Sequence, residues 1–130
     1  MSTWVWVDGT VTAATEARVS ATDRGLLLGD GVFETCKVVE GNPFALTRHL
    51  ARLRRSAALV DIGLPWDDAY FRSACAETLA AAFPTPVDSA GHAPHSDPIA
   101  EPSTGDQVGD GPAGVEPLGR LRITVTGGSG

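Results

Sequence analysis

Arg48, Arg52, Arg54 and Arg55 crowd one short stretch of this sequence, and their chemistry is that of anion binding. A guanidinium presents a planar fork of N–H donors that matches a carboxylate or phosphate in two contacts at once. Arg52 falls one helical turn after Arg48 and beside an apolar stripe, so it can be partly buried and grip an anion; Arg54 and Arg55 fall on the solvent side. Arg122 lies on a strand whose opposite face is apolar, and alternation leaves open whether it meets solvent or a pocket. The run Arg24-Gly25-Leu26-Leu27-Leu28-Gly29-Asp30-Gly31-Val32-Phe33-Glu34-Thr35 puts glycines where the backbone must bend. It has neither the Lys-Ser/Thr ending of a phosphate loop nor the spacing of a dinucleotide fingerprint, and read alone it is a structural turn before a strand. His92 and His95 lack further ligands, and no metal is assigned to them. Cys36 and Cys75 form no motif and read as small buried hydrophobes, the reduced thiols of a cytoplasmic protein.

Elements must position these side chains. Trp4-Val5-Trp6-Val7 before Asp8-Gly9 predicts a strand and a tight turn, with Thr10 to Ala13 returning. Phe33 to Glu40 is rich in strand formers and ends at the turn signal Glu40-Gly41-Asn42-Pro43, with Phe44-Ala45-Leu46 as its short partner. Thr47 is the expected N-cap of a helix from Arg48 to about Asp61, with Leu50, Leu53, Ala57 and Val60 on its apolar stripe. A second helix starts near Pro65 and turns Phe71, Ala74, Cys75, Thr78, Leu79 and Ala82 inward. Arg120 to Thr126 alternates with Leu121, Ile123 and Val125 on one face. Together these elements make an α+β domain.

The net charge of −6 sits in one place. Residues 84–119 hold six acids and no Lys or Arg, which leaves ten acids against all ten basic residues elsewhere. No net basic field attracts nucleic acid, and no run approaches the length of a membrane span. The segment 84–119 also holds seven of the nine prolines, and its apolar residues are mostly Ala and Val, so it is expected to be a disordered insertion.

Five stretches in order then carry a resemblance. They are Trp6-Val7-Asp8-Gly9, the run from Arg24 to Thr35, Val38-Val39-Glu40-Gly41-Asn42-Pro43-Phe44, the stretch from His49 to Ala57, and Arg120 to Gly128. Together they resemble the class IV aminotransferase family, the fold-type-IV pyridoxal-phosphate enzymes. Gly29 to Thr35 looks most like 4-amino-4-deoxychorismate lyases and D-amino-acid-type transaminases; the resemblance is taken to imply the lyase, which forms 4-aminobenzoate and pyruvate on the way to folate, with a D-amino-acid- or branched-chain-type transaminase as the alternative. Branched-chain transaminases usually carry Tyr at the position of Leu28 and Gly at that of Thr35, which this chain does not. An inactive binding or dimerisation module of the same fold is the alternative from a different class.

The resemblance implies an antiparallel-rich sheet with two helices, the N-terminal domain of that fold. It divides the chain into an α+β domain over 1–83, the acidic insertion over 84–119, and a returning strand and Gly-rich end over 120–130. It assigns the pyridoxal 5'-phosphate phosphate to Arg52, the substrate side to Phe33 and Thr35, and the substrate carboxylate to Arg122. It implies a small-molecule substrate and a cytoplasmic homodimer, with no nucleic acid and no membrane. The chemistry needs a lysine amine beside the cofactor, and the single lysine, Lys37, is not where the family keeps it. The chain therefore reads as an N-terminal part without catalytic turnover of its own, the lysine belonging to a second domain.

Overall fold

The computed structural model describes residues 2–84 and 118–129. Asp8 and Gly9 both have positive φ, as a two-residue hairpin loop requires, and they join β1 (Trp4–Val7) to β2 (Thr10–Ala13). The same chemistry at Glu40 and Gly41 joins β3 (Gly31–Val39) to β4 (Asn42–Pro43). The partner strand is thus Asn42–Pro43 and not Phe44 to Leu46. Phe44 adds one ladder bond from its N–H to the Lys37 carbonyl, and Ala45 then turns left-handed and opens the helix. β5 (Leu118–Thr126) pairs antiparallel along the whole of β3, so the sheet order is β4-β3-β5. On its β4 side, β3 has no strand partner from Gly31 to Cys36 among the described residues.

Sequence reasoning missed one element, the single-turn helix α1 (Arg24–Leu28), because it is written in glycines and leucines with no period to follow. Asp23 caps it by accepting from the Gly25 N–H, and the Thr126 hydroxyl donates to the same carboxylate. A Cβ at Gly25 would run into the Thr126 Cγ2, which its hydroxyl bond holds in place, so the close approach of α1 to the end of β5 requires glycine there.

The helix α2 (Leu46–Leu59) begins after Ala45, before the expected Thr47 cap, because Leu46 is drawn into the core. It stops two residues before Asp61. Asp61 has φ 56°, its N–H reaches the Ala58 carbonyl, and the Ile62 N–H reaches Ala57 at 2.9 Å. That is a Schellman ending with aspartate in the position glycine usually takes, and it buries Ile62. Val60, expected on the apolar stripe, is exposed as a result, and Leu46 takes its place beside Leu50, Leu53 and Ala57.

The helix α3 (Asp68–Ala82) starts later than Pro65 because Asp67 is its N-cap, accepting from the Tyr70 N–H at 2.9 Å. Phe71, Cys75 and Leu79 are buried as expected, while Ala74, Thr78 and Ala82 are only half-buried. The core lies between α2, α3 and the sheet face of Cys36, Val38, Leu121 and Val125. Cys36 and Cys75 are both free and buried in it. Burial first, and then the neighbouring Cys36, pushes the Cys75 thiol up to about 11, so it stays protonated and unreactive. Of the acidic segment expected to be disordered, residues 85–117 lie outside the described residues, whereas Leu118 and Gly119 extend β5.

Among the described residues no helix is long and apolar enough to cross a membrane, and no cluster of His, Cys, Asp and Glu could hold a metal ion.

Candidate anion and cofactor site

Alternation along β3 sends Glu34, Cys36 and Val38 toward α2 and leaves Phe33, Thr35 and Lys37 on the open face. A carboxylate thereby occupies a core register. Glu34 is 6% exposed, and it is the only charged residue among the buried described residues. It is fully partnered by α2: Arg52 donates from Nε to Oε1 and from Nη2 to Oε2, both at 2.7 Å, and the His49 Nδ1 lies 2.7 Å from Oε2. Those Arg52 bonds, opposed by burial and reinforced by His49, hold the Glu34 carboxyl down at about 2 from its ordinary 4.5.

Arg52 is therefore placed differently from the sequence expectation. Its side chain is 58% exposed, and one edge of its fork is already taken by Glu34. Nη1 is left over. Arg48, His49, Arg52 and Arg55 line a cleft of about 380 Å³ with Ala45 and Ala51, and no acid lines it. Arg55 is thus a cleft residue rather than a bystander. Arg54 leaves the cluster altogether: it clamps Asp68 at 2.6 Å, donates to the Trp66 carbonyl and lies over the Phe71 ring, tying α2 to α3.

On the opposite face of the sheet, Phe33, Thr35 and Arg122 do come together. Arg122 pairs in register with Thr35, its guanidinium carbon lies 4.0 Å from the Phe33 ring centre, and its Nε donates to the Thr124 hydroxyl at 3.1 Å. Lys37 stands directly opposite Arg120 on this face, with the sheet between it and the helix that carries Arg52. Arg52 and the Phe33–Thr35–Arg122 group thus reach the sheet from its two sides, beside the unpaired stretch of β3.

Glu34 and His49 were not singled out from sequence, although a signal was present. A glutamate sharing its strand face with Cys36 and Val38 is a buried charge, and such a charge needs a cation from the element packed on it.

An antiparallel sheet backed by two helices is what this chain shares with solved fold-type-IV transaminases. A fold IV transaminase from Curtobacterium pusillum matches 55% of this chain and 25% of its own length at 43% identity and TM-score 0.50. A branched-chain aminotransferase from Thermoproteus uzoniensis matches 65% of this chain and 30% of its own at 30% identity and TM-score 0.54. The family model described as amino-transferase class IV matches residues 31–130, and the chain belongs to that family. Its relatives of known activity are pyridoxal-phosphate enzymes. D-alanine aminotransferase of Bacillus licheniformis is 37% identical over 75 residues, which are 58% of this chain and 26% of that protein. The chain spans about a quarter of the length of such relatives.

The donor set fits the cofactor's phosphate. A dianion needs several cations, and Arg48, Arg55 and the free Nη1 of Arg52 supply them, while the carboxylate nearby, Glu34, is already paired with Arg52.

The Glu34 clamp also sets an acid limit. Its folded-state value lies below the ordinary one, so its contribution to stability is complete above about pH 4.5 and is lost as pH falls toward about 2. Arg52→Met removes the main cause of the depression, and its acid unfolding should begin at higher pH than in wild type. Tryptophan fluorescence across an acid titration reads this, and coincident acid limbs would refute it.

Proposed function

We propose that this chain supplies the cofactor-phosphate and substrate contacts of a pyridoxal-phosphate transaminase of the D-amino-acid type, working as a cytoplasmic homodimer. The observation that carries the reading is the pairing of two cationic sites across one strand. The cleft of Arg48, His49, Arg52 and Arg55 holds the phosphate, and Arg122, braced over Phe33 beside Thr35, holds the substrate carboxylate. Similarity to D-alanine aminotransferases supports the substrate class. When bound, the cofactor supplies an electron sink for the bond broken at the substrate's α-carbon. In this reading the cleft anchors one end of the cofactor, and Arg122 sets the register of the substrate. Leu26, Leu27 and Leu28, exposed on α1, are apolar surface that an assembly would cover.

A second reading, aminodeoxychorismate lyase, is favoured by the run Gly29 to Thr35. The two separate by product. Transfer of the D-alanine amino group to a 2-oxo acid is the expected activity of the whole protein. Release of 4-aminobenzoate with no 2-oxo acid present would replace the first reading with the second, and neither activity would overturn both. Arg122→Ala should raise KM for the carboxylate substrate while leaving cofactor affinity unchanged.

Lys37, two residues past Thr35 on β3, is not where the family keeps its lysine, and it is not expected to be the amine of this chemistry. Borohydride reduction of this chain after incubation with pyridoxal 5'-phosphate should leave no stoichiometric adduct at a single site. A specific adduct on Lys37, found by peptide mass mapping, would contradict the placement of the cofactor.

A further inference from the structure

Glu34 is more than a counterion. Its carboxylate receives three contacts from two side chains of α2, and each contact removes a freedom that an incoming anion would otherwise have to remove. Arg52 is more than half exposed and would sample many rotamers without the clamp. His49 is oriented by the same oxygen: an ionised carboxylate only accepts, so the His49 Nδ1 must carry the proton that faces it. The donor that remains, Arg52 Nη1, belongs to a side chain lining the cleft, and His49 lines it too with its Nδ1–H already given to Glu34.

We propose that Glu34 is the positioning residue of this site, fixing the Arg52 fork so that Arg52 Nη1 stands preformed for a phosphate, with the His49 ring held beside it in the Nδ1–H form. The inference rests on the reading of the cleft as the phosphate site and deepens it. It makes a counter-intuitive demand. A carboxylate beside an anion site repels the anion, so by Coulomb's law alone Glu34→Gln should tighten binding. Preorganisation requires the opposite sign. A glutamine offers one accepting oxygen where Glu34 meets donors on both of its oxygens, so its NH₂ end faces a donor and at least one side of the clamp opens.

The test is a titration of wild type, Glu34→Gln and Arg52→Ala with pyridoxal 5'-phosphate, with pyridoxal as the phosphate-free control. Glu34→Gln should bind the phosphate compound about tenfold more weakly, the loss expected when the ligand itself must order two side chains, with pyridoxal binding unchanged. Equal or tighter binding by Glu34→Gln, where Arg52→Ala is weakened, would overturn the positioning role and leave the phosphate reading standing. Equal binding by Arg52→Ala would remove the phosphate reading itself.

A second measurement needs no variant to fold and no ligand. In wild-type protein at a pH where the ring is neutral, long-range ¹H–¹⁵N spectra should show His49 as the Nδ1–H form, and the Arg52 Nε–H should exchange slowly. An Nε2–H ring or a freely exchanging Arg52 would refute the clamp.

Discussion

Arg52→Ala is expected to weaken pyridoxal 5'-phosphate binding by roughly 30-fold or more, the loss typical when one partner of a charge-assisted contact is removed. Two effects add in the same direction. The cleft loses one of its cations, and the Glu34 carboxylate, 6% exposed, is left with His49 as its single partner, so its negative charge is no longer offset beside the site. Arg52→Lys should recover only part of the affinity. An ammonium keeps the charge but cannot hold two carboxylate oxygens in the plane of a fork while still presenting a donor outward. Arg55→Ala, in the cleft but outside the clamp, should cost less than Arg52→Ala, and Arg54→Ala should leave affinity alone. The Arg54 variant should instead lower stability slightly, since it unties Asp68 and Trp66 from α2. A cofactor titration of the four variants decides it. Equal affinities for Arg52→Ala and Arg54→Ala would return the cluster to an ordinary solvated helix face.

The elements were legible where a period or a turn dipeptide was written into the chain. Asp8-Gly9 and Glu40-Gly41 gave both hairpins because a two-residue loop demands positive φ and few residues tolerate it. The alternation of Leu121, Ile123 and Val125 gave the inner face of β5. Boundaries were lost where a tertiary contact overrode a local signal. Thr47 is a better N-cap than Ala45 by type, yet burial of Leu46 set the start of α2. Asp61 in a left-handed conformation ended that helix at Leu59, two residues before its expected end. At the site, residue types pointed to Arg52, Phe33, Thr35 and Arg122, but no spacing rule says that a strand glutamate fifteen positions before His49 and eighteen before Arg52 will meet both. That pairing depends on how α2 is seated on β3, which only the fold supplies.

The seating itself can be tested through Leu53. It is fully buried between its neighbours in the core and sits next in sequence to Arg52, so the same helical turn that delivers the guanidinium to Glu34 is anchored by this side chain. Leu53→Ala is expected to destabilise the protein by about 2–5 kcal/mol, the sum of lost transfer free energy and the cavity left behind. Against a total stability of about 5–15 kcal/mol that is a large fraction. Leu59→Ala on the same helix, where the side chain is 86% exposed, should change stability by no more than about 0.5 kcal/mol. Denaturant unfolding of the two variants measures the contrast in midpoint at constant slope. The cavity also loosens the contact of α2 with β3, so in Leu53→Ala the Arg52 Nε–H should exchange faster even under conditions where the protein stays folded. Slow exchange retained in a destabilised variant would mean that the Glu34 clamp holds the helix in place by itself, and that core packing and the site are independent.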